Sequence, residues 1–323
     1  MDDSKFYEKP KRGLVYDVHA FLNDMFWDEE RIENNYDKAY RLAGMSYLAL
    51  KTKDEHLWSY LKNSVENSIT KNGRLKYKLV IIDQVPIGLV FINLYRETKD
   101  RRYMLAAKHV YDFIKTQTGP TGIIPYRKEC PNQFVDGIGM TIPFLMEYYS
   151  VTKDSTALSL SHKNMSEYYE YGVDHETLIP AHGYNYREKI KVGSSNWGRG
   201  IGWWCLALSF CHNEDLLRKT AAIIKGLPMT QFPYSSPNVD SSSILFFELI
   251  LQTAGEHPLN LDIIRSKLPI LSSGEILRCS GDTYDFNNYS YSYSSSQLTQ
   301  GLFCLICSQY CYENWNNNAS APL

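Results

Sequence analysis

The chain has 323 residues, an apolar share of 44% and a formal net charge of −2. It is longer than a usual domain, although a single closed helical repeat can reach this length, and its apolar share allows a large core. Because the charge is nearly balanced and no basic stripe could meet a phosphate backbone, we do not expect a nucleic-acid partner.

The amino-terminal segment Met1–Pro10 is polar and charged, without the basic start and apolar stretch of a secretory signal peptide. No apolar run approaches the roughly 20 residues that cross a bilayer. The seven cysteines suit a reducing compartment. We therefore expect a cytoplasmic protein with no membrane contact.

Apolar residues at helical spacing predict about twelve helices in six hairpins. The first helix is expected over Val15–Arg31 and the last over Ser296–Tyr312, and these two would pair to close the ring. Hairpins between them are expected from Asp37 to Lys225 and over Ser242–Lys267. A toroid that closes in this way leaves no exposed apolar end, which is the weakness of an open helical repeat. We predict one domain over residues 1–313 and a frayed tail over residues 314–323.

A Thr-Lys-Asp tripeptide recurs at Thr52–Asp54, Thr98–Asp100 and Thr152–Asp154. Each copy separates two apolar runs at helical spacing, which is typical of the turn in a helical hairpin. An aspartate precedes each copy by roughly one helix length and opens the first helix of its hairpin. These three aspartates are Asp37, Asp83 and Asp136. If the helices stand side by side, their amino-terminal ends form a ring where chemistry would be placed.

Each of these aspartates could be a helix cap or a catalytic acid, since aspartate is a favoured N-cap. The surroundings of Asp136 favour catalysis, because Phe134 precedes it and two cations, Arg127 and Lys128, lie upstream. An acid near cations and aromatic rings can have a shifted pKa. Ser241, Ser242 and Ser243 head another inner helix that begins near Asp240, and we expect these serines to act mainly as caps.

Long connections lead into the inner helices over residues 119–135, 172–196 and 227–239, and ordered loops on a rigid scaffold often carry binding groups. His182 lies in the second connection, where a substrate contact and a structural hydrogen bond are equally compatible with the sequence. The Ser/Tyr/Asn-rich segment Gly281–Ser296 could form a short hairpin.

The segment Asn196–Trp204 contains three glycines between tryptophans. Trp197 and Trp203 could stack on a sugar, and Arg199 could bind a carboxylate with its planar fork. The alternative is tight helix packing against core aromatic side chains.

Cys304, Cys307 and Cys311 lie on one face of an apolar helix, so buried small side chains are favoured over a metal site. We predict no metal and no cofactor.

Five stretches resemble the unsaturated glucuronyl and rhamnogalacturonyl hydrolases of glycoside hydrolase families 88 and 105. They are Ile82–Asp100, Tyr126–Asp154, Ala181–Tyr184, Asn196–Trp203 and Asp240–Glu256, in the family's order. The resemblance implies an all-α fold, an (α/α)6 barrel, in agreement with the six predicted hairpins. It also implies an oligosaccharide substrate whose non-reducing end is a uronic acid with a C4=C5 double bond.

In these families an aspartate protonates C4 and helps water to add at C5, after which the hemiketal opens and the neighbouring sugar leaves. By match, the resemblance implies that Asp136 is the acid and base and that Asp83 is the second carboxylate. The substrate-site residues that it implies are Tyr36, Lys128, Phe134, His182, Trp197, Arg199 and Trp203.

The chain departs from the family pattern at Phe134, where a tryptophan is usual, and at Arg127, where a histidine is frequent. The alternatives are a glycan-binding or polysaccharide-assembly protein on the same barrel, a barrel glycosidase for saturated sugars, and a protein-interaction repeat. Intact Asp83 and Asp136 favour the enzyme, and the glycines of 198–202 argue against an interaction repeat.

Overall fold

The computed structural model describes residues 36–319 except 120, 196, 212, 230–238 and 257–259, and it describes side chains through residue 309. The predicted helix Val15–Arg31 lies outside these residues, as does most of the third long connection.

Six helices in the described part of the chain form an inner ring. They are α1 (Tyr36–Thr52), α3 (Ile87–Thr98), α5 (Val135–Thr152), α7 (Gly198–Cys211), α9 (Ser241–Thr253) and α11 (Gln297–Ala319). Each contacts the next, and α11 contacts α1, so the ring is closed. The predicted (α/α)6 barrel is therefore confirmed, and the ring closes against the helix that begins at Tyr36.

Five further helices of the described residues lie outside this ring, and each follows an inner helix after a short turn. They are α2 (Glu55–Glu66), α4 (Arg101–Gln117), α6 (Ser155–Gly172), α8 (Glu214–Ile224) and α10 (Leu261–Lys267). The inner helices are buried on almost every side, and in α9 all residues except Thr253 are buried. The outer helices bury one face, as their amphipathic spacing predicts.

The contact that closes the ring depends on two glycines. A Cβ atom on Gly44 of α1 would lie 1.9 Å from the carbonyl oxygen of Gly301, and one on Gly301 of α11 would lie 2.2 Å from that of Tyr40. No side chain fits at these distances, so the two helix backbones pack directly against each other.

The Thr-Lys-Asp repeat forms the same turn three times. In the third copy, the Thr152 hydroxyl donates to the Tyr148 carbonyl, and Lys153 ends the helix in the left-handed region at φ 59°. Asp154 then caps α6 by accepting from the Thr156 amide. Both other copies have a left-handed lysine and a capping aspartate. The tripeptide therefore stops one helix and starts the next.

A three-stranded antiparallel sheet joins two of the long connections, although strand patterns are sparse in the sequence. It consists of β1 (Asn132–Phe134), β2 (Gly183–Asn185) and β3 (Ile190–Val192), with Phe134 paired to Gly183. The predicted hairpin in the Ser/Tyr-rich segment is confirmed, since β4 (Cys279–Ser280) pairs with β5 (Tyr293–Ser294).

The last helix continues to Ala319, beyond the predicted end at Tyr312, and residues 320–323 lie outside the described part of the chain. Cys304 and Cys307 are fully buried in it, as expected for small apolar side chains. Among the described helices, none is long and apolar enough to cross a membrane.

Candidate active site

The first-turn aspartates are not helix caps, which corrects the capping alternative. Asp136 is the second residue of α5, whose N-cap position is Phe134 and receives no side-chain hydrogen bond. Asp83 lies in a short 3-10 helix, Ile82–Gln84, that precedes α3. Asp37 is the second residue of α1 and accepts from the Ser296 hydroxyl at 2.8 Å. The carboxylates of Asp83 and Asp136 therefore remain available for chemistry at the mouth of the barrel.

Asp240, in contrast, is a structural residue. It is fully buried, and its carboxylate accepts from the Ser242 amide and hydroxyl and from the Ser280 hydroxyl. It therefore caps α9 and joins that helix to strand β4.

The small sheet brings His182 to Asp136. Strand pairing continues past Phe134 and Gly183, since the Val135 amide donates to the His182 carbonyl at 2.9 Å. A Cβ atom on Gly183 would lie 2.8 Å from the Gln133 carbonyl oxygen, so glycine permits this close approach. The start of α5 is thereby held beside the loop that carries His182.

Asp136 and His182 form a buried polar pair. His182 Nε2 lies 3.3 Å from Asp136 Oδ2, and the side chains are 1% and 15% exposed respectively. The two atoms are within ion-pair range but are not aligned for a regular hydrogen bond, and neither has another partner among the described residues. The other ring nitrogen, Nδ1, lies 3.1 Å from the Phe286 carbonyl oxygen.

These contacts decide the protonation of His182. Burial lowers its pKa, but the Asp136 carboxylate and the Phe286 carbonyl outweigh burial, so the pKa of His182 is raised above 6.5. A carbonyl oxygen only accepts hydrogen bonds, so Nδ1 must carry a proton. Nε2 then either donates to the Asp136 carboxylate or accepts a proton from the Asp136 carboxyl group.

Asp83 lies in a less polar environment than a surface carboxylate. Burial raises its pKa, as do the charges of Asp136 and Asp282, and this exceeds the opposing effects of the Tyr126 hydroxyl and the Arg127 charge. Its Oδ1 is buried without a hydrogen-bond partner in the described part of the chain. A carboxyl group of this kind holds a proton more readily than an ordinary aspartate.

Of the two cations upstream of Asp136, Arg127 rather than Lys128 acts on the site. The Arg127 guanidinium lies 4.9 Å from the centre of the Tyr126 ring, and the charge of Arg127 acts on Asp83. Lys128 is exposed on the turn between Arg127 and Cys130. Arg127 is one of the two departures from the family pattern, and the structure places it beside the second carboxylate.

Aromatic rings surround the Asp136–His182 pair. Phe134 stacks on Tyr126 with ring centres 4.7 Å apart. The Phe286 ring meets the Phe134 ring edge to face, with ring centres 4.6 Å apart. Trp197 lies 4.7 Å from the His182 ring and Tyr289 lies 5.7 Å from it. These rings exclude water from the pair and strengthen its electrostatic interactions.

Trp203 is placed in the core. It is 1% exposed, and its ring packs between Tyr40 at 5.2 Å and Phe246 at 4.9 Å, with Tyr36 at its edge. A Cβ atom on Gly202 would lie 2.3 Å from the Phe246 ring. This is the tight helix packing that the glycine pattern also allowed. Trp197 is 2% exposed, so most of its surface is covered as well.

Arg199 holds the β4–β5 loop. It is 3% exposed, and its guanidinium donates to the carbonyls of Ser280 and Gly281. It lies 5.5 Å from the Trp197 ring and 3.9 Å from the Asp282 carboxylate. Tyr36, at the start of α1, donates to the same carboxylate at 2.5 Å.

Sequence reasoning did not identify Tyr126, Asp282, Phe286 and Tyr289 as site residues. Three of these come from the Ser/Tyr-rich segment, which folds over His182. The signal that could have found them is the concentration of aromatic and polar residues in a loop whose length exceeds that of a simple hairpin.

The interior of the ring offers no acidic side chains in the pocket that the described residues form there. This small pocket lies between the inner helices and is lined by Tyr47, Leu89, Phe210 and other residues, none of them acidic. Over the described residues, no group of three or more His, Cys, Asp or Glu side chains could hold a metal ion.

The profile of Glycosyl Hydrolase Family 88 matches residues 9–219. This match covers more than half of the chain, and the chain therefore belongs to glycosyl hydrolase family 88. It is a glycoside hydrolase at this level of description.

Solved structures share the fold over almost the whole chain. A possible member of glycoside hydrolase family 105 from Klebsiella pneumoniae has a TM-score of 0.77 at 14% identity, covering 95% of this chain and 96% of that one. A family 105 glycoside hydrolase from C. acetobutylicum gives 0.72 at 15% identity, covering 92% and 99%. A family 88 glycosyl hydrolase from Bacteroides vulgatus gives 0.69 at 14% identity, covering 92% and 98%. At these identities the likeness supports the fold alone.

Proposed function

We propose that this protein removes a Δ4,5-unsaturated uronic acid from the non-reducing end of an oligosaccharide by hydrating its C4=C5 double bond. The observation that carries the proposal is the pairing of His182 Nε2 with Asp136 Oδ2 at 3.3 Å, beside a second carboxyl group on Asp83. Membership of family 88 supports the same substrate class.

A double bond of this kind needs a positioned proton donor. The Asp136–His182 pair can hold one proton between its two facing atoms, because Nδ1 already donates to the Phe286 carbonyl. Without that proton, the lone pairs of Nε2 and Oδ2 would face each other in a buried site. Asp136 would deliver the proton to C4, and the ring oxygen would stabilise the positive charge at C5.

Water then adds at C5 and returns one proton to the Asp136 carboxylate, so the pair ends in its starting state. The product is a hemiketal at C5. Its ring opens to a ketone at C5, which leaves a hemiacetal at C1, and this hemiacetal collapses to the aldehyde and releases the neighbouring sugar. One water molecule is consumed, and the anomeric carbon is never attacked by the protein.

Asp83 is the candidate for orienting the water. Its Oδ1 is buried without a partner among the described residues, and its raised pKa favours the protonated form. Trp197 offers a further donor, since its indole Nε1 is also buried and unpaired in that part of the chain. These groups supply polar contacts that a sugar or a water molecule could complete.

The second candidate function is a glycan-binding or polysaccharide-assembly protein on the same barrel. Burial of Trp197 and Trp203 gives it no support, because neither ring offers an open face on which a sugar could stack. The orphaned carboxylate oxygens of Asp83 and Asp136 favour the enzyme, since burying such atoms is costly when they serve only binding.

The reaction run in D2O separates hydration from ordinary hydrolysis. Hydration places one deuteron on C4, and a single enzyme-bound donor places it on one face only. Direct hydrolysis at the anomeric carbon would release an unsaturated uronic acid, whose ring opens to an enol that takes up deuterium on either face of C4 in solution. NMR of the product from a lyase-generated disaccharide, recorded early in the reaction, should therefore reveal stereospecific deuteration at C4. Release of the neighbouring sugar with deuterium on both faces of C4 from the first time points would contradict the proposal.

A further inference from the structure

The mouth of the barrel contains a carboxylate that the reaction does not use. Asp282 lies in the loop between β4 and β5, and its side chain is 74% exposed. Even so, its Oδ1 accepts from the Tyr36 hydroxyl at 2.5 Å and lies 3.9 Å from Arg199 Nη2. An exposed aspartate would ordinarily be solvated, so two protein partners at once indicate a defined position.

The loop is fixed at its base, which sets where Asp282 can lie. Arg199 donates to the carbonyls of Ser280 and Gly281, and the Gly281 amide donates to Ser292 at 3.0 Å. The Ser280 hydroxyl donates to the buried Asp240 carboxylate at 2.7 Å. The residue after Gly281 is therefore held next to Arg199, whereas its carboxylate contacts Tyr36 and that guanidinium among the residues that the structure describes.

Tyr36 and Arg199 are the pair of donors that a sugar carboxylate would use. The Arg199 guanidinium can donate charge-assisted hydrogen bonds to a carboxylate, and the Tyr36 phenol can donate a further one. Both groups lie at the barrel mouth. Asp282 already supplies a carboxylate to both of them. The charges of Asp37 and Asp240 also act on Arg199, so one cation faces three anions. A fourth anion, carried by the substrate, would meet a neutralised cation and a repelling carboxylate.

We propose that Asp282 occupies the carboxylate subsite of this enzyme and must be displaced before an anionic sugar binds, so that its charge weakens the binding of anionic sugars but not of neutral ones. The inference rests on the proposed function in one respect, namely that a uronate carboxylate binds between Tyr36 and Arg199. Displacement would break the Tyr36 hydrogen bond but leave the base of the loop in place, because Arg199 holds it through backbone carbonyls.

Binding of D-galacturonate and of its neutral counterpart D-galactose tests the inference, measured as dissociation constants by NMR titration of the wild type, Asp282→Asn and Asp285→Asn. Neither sugar contains the double bond, so binding is read independently of the reaction. Asp282→Asn keeps an acceptor for Tyr36 and removes the charge. Asp285 is the matched control, because it is an exposed aspartate of the same loop and its Oδ1 accepts from the Asn287 amide.

We expect Asp282→Asn to tighten galacturonate binding by about tenfold or more, because the Asp282 carboxylate repels a sugar carboxylate that enters the same subsite. Galactose binding should stay unchanged, because galactose has no charge. Asp285→Asn should change neither. An unchanged ratio of the two dissociation constants in Asp282→Asn would overturn the inference, as would an equal gain in Asp285→Asn. If the ratio stays unchanged while unsaturated disaccharides are hydrated, the subsite inference fails and the proposed function stands. If the ratio changes but no unsaturated disaccharide is turned over, the subsite stands and the hydration reaction fails.

Discussion

His182 Nε2 lies 3.3 Å from Asp136 Oδ2 in a nearly dry site, and His182 is anchored from the other side by the Phe286 carbonyl. Three separate segments meet at this contact: the start of α5, the loop before β2, and the loop between β4 and β5. The arrangement keeps a proton beside a carboxylate that would otherwise be an ordinary first-turn aspartate.

Asp136→Asn should keep the fold and lower kcat/KM for unsaturated disaccharides by at least about 10²-fold, the low end for a positioned acid and base. Asn is isosteric and cannot deliver the proton. Asp37→Asn is the control, because Asp37 occupies the equivalent position of α1 and its contact to Ser296 tolerates an amide. Equal activity of the two variants would mean that Asp136 is not the acid.

His182→Gln should lower kcat more than it raises KM, because glutamine can form hydrogen bonds but cannot hold the shared proton. The pKa of His182 is raised above 6.5. The pH profile of wild-type activity should therefore have a basic limb, a loss of activity whose midpoint lies above pH 6.5. That limb should disappear or move in the variant. Tyr289→Phe, which removes a hydroxyl 3.4 Å from Nδ1 but keeps the ring, should retain the wild-type pH profile. A pH profile of His182→Gln that matches the wild type would exclude the proton-holding role.

Asp83→Asn should raise the stability of the fold at neutral pH while it lowers activity. The pKa of Asp83 is raised in the folded protein above 3.8, so the ionised carboxylate weakens the fold once the pH exceeds the folded pKa. The stabilisation by asparagine should therefore be largest at neutral pH and should shrink as the pH falls towards 3.8. Thermal unfolding of the wild type and of Asp83→Asn across this pH range measures the stabilisation. A stabilisation that grows towards low pH would contradict the prediction.

Gly139→Ala should destabilise the protein by about 1–3 kcal/mol, because the added methyl would overpack the core. Its Cβ atom would lie 2.6 Å from the Trp203 ring and 3.0 Å from the Trp203 carbonyl oxygen. Gly137→Ala is the matched control in the same helix, since its nearest contact is the Tyr126 ring at 3.5 Å. It should stay within about 1 kcal/mol of the wild type. Chemical denaturation of both variants checks the difference.

The fold could be predicted because its signals are local. Helical spacing, the Thr-Lys-Asp turns and the acidic residues at the starts of α1, α5 and α9 are all contained in short segments. The repeat could not reveal that its lysines take the left-handed conformation, because glycine is the residue that usually marks that position.

The site was predicted only in part, because its contacts join distant segments. Asp83, Asp136 and His182 could be named from motifs. The pairing of Phe134 with Gly183 joins two distant segments, and strands of three residues are too short to show a recognisable sequence pattern. The roles of Trp203 and Arg199 depend on whether their side chains face the core or the mouth. A tryptophan or an arginine suits core packing and substrate contact equally well. In the structure, Trp203 and Arg199 are both buried among packed side chains.

The most direct test of the account is the ultraviolet absorbance of the conjugated double bond in a lyase-generated uronyl disaccharide, followed during incubation with the wild-type protein. Hydration of the C4=C5 double bond predicts that the absorbance disappears as the neighbouring sugar is released. The saturated disaccharide of the same composition should be left intact. Cleavage of the saturated disaccharide at a comparable rate, or release of the neighbouring sugar with the absorbance retained, would contradict it.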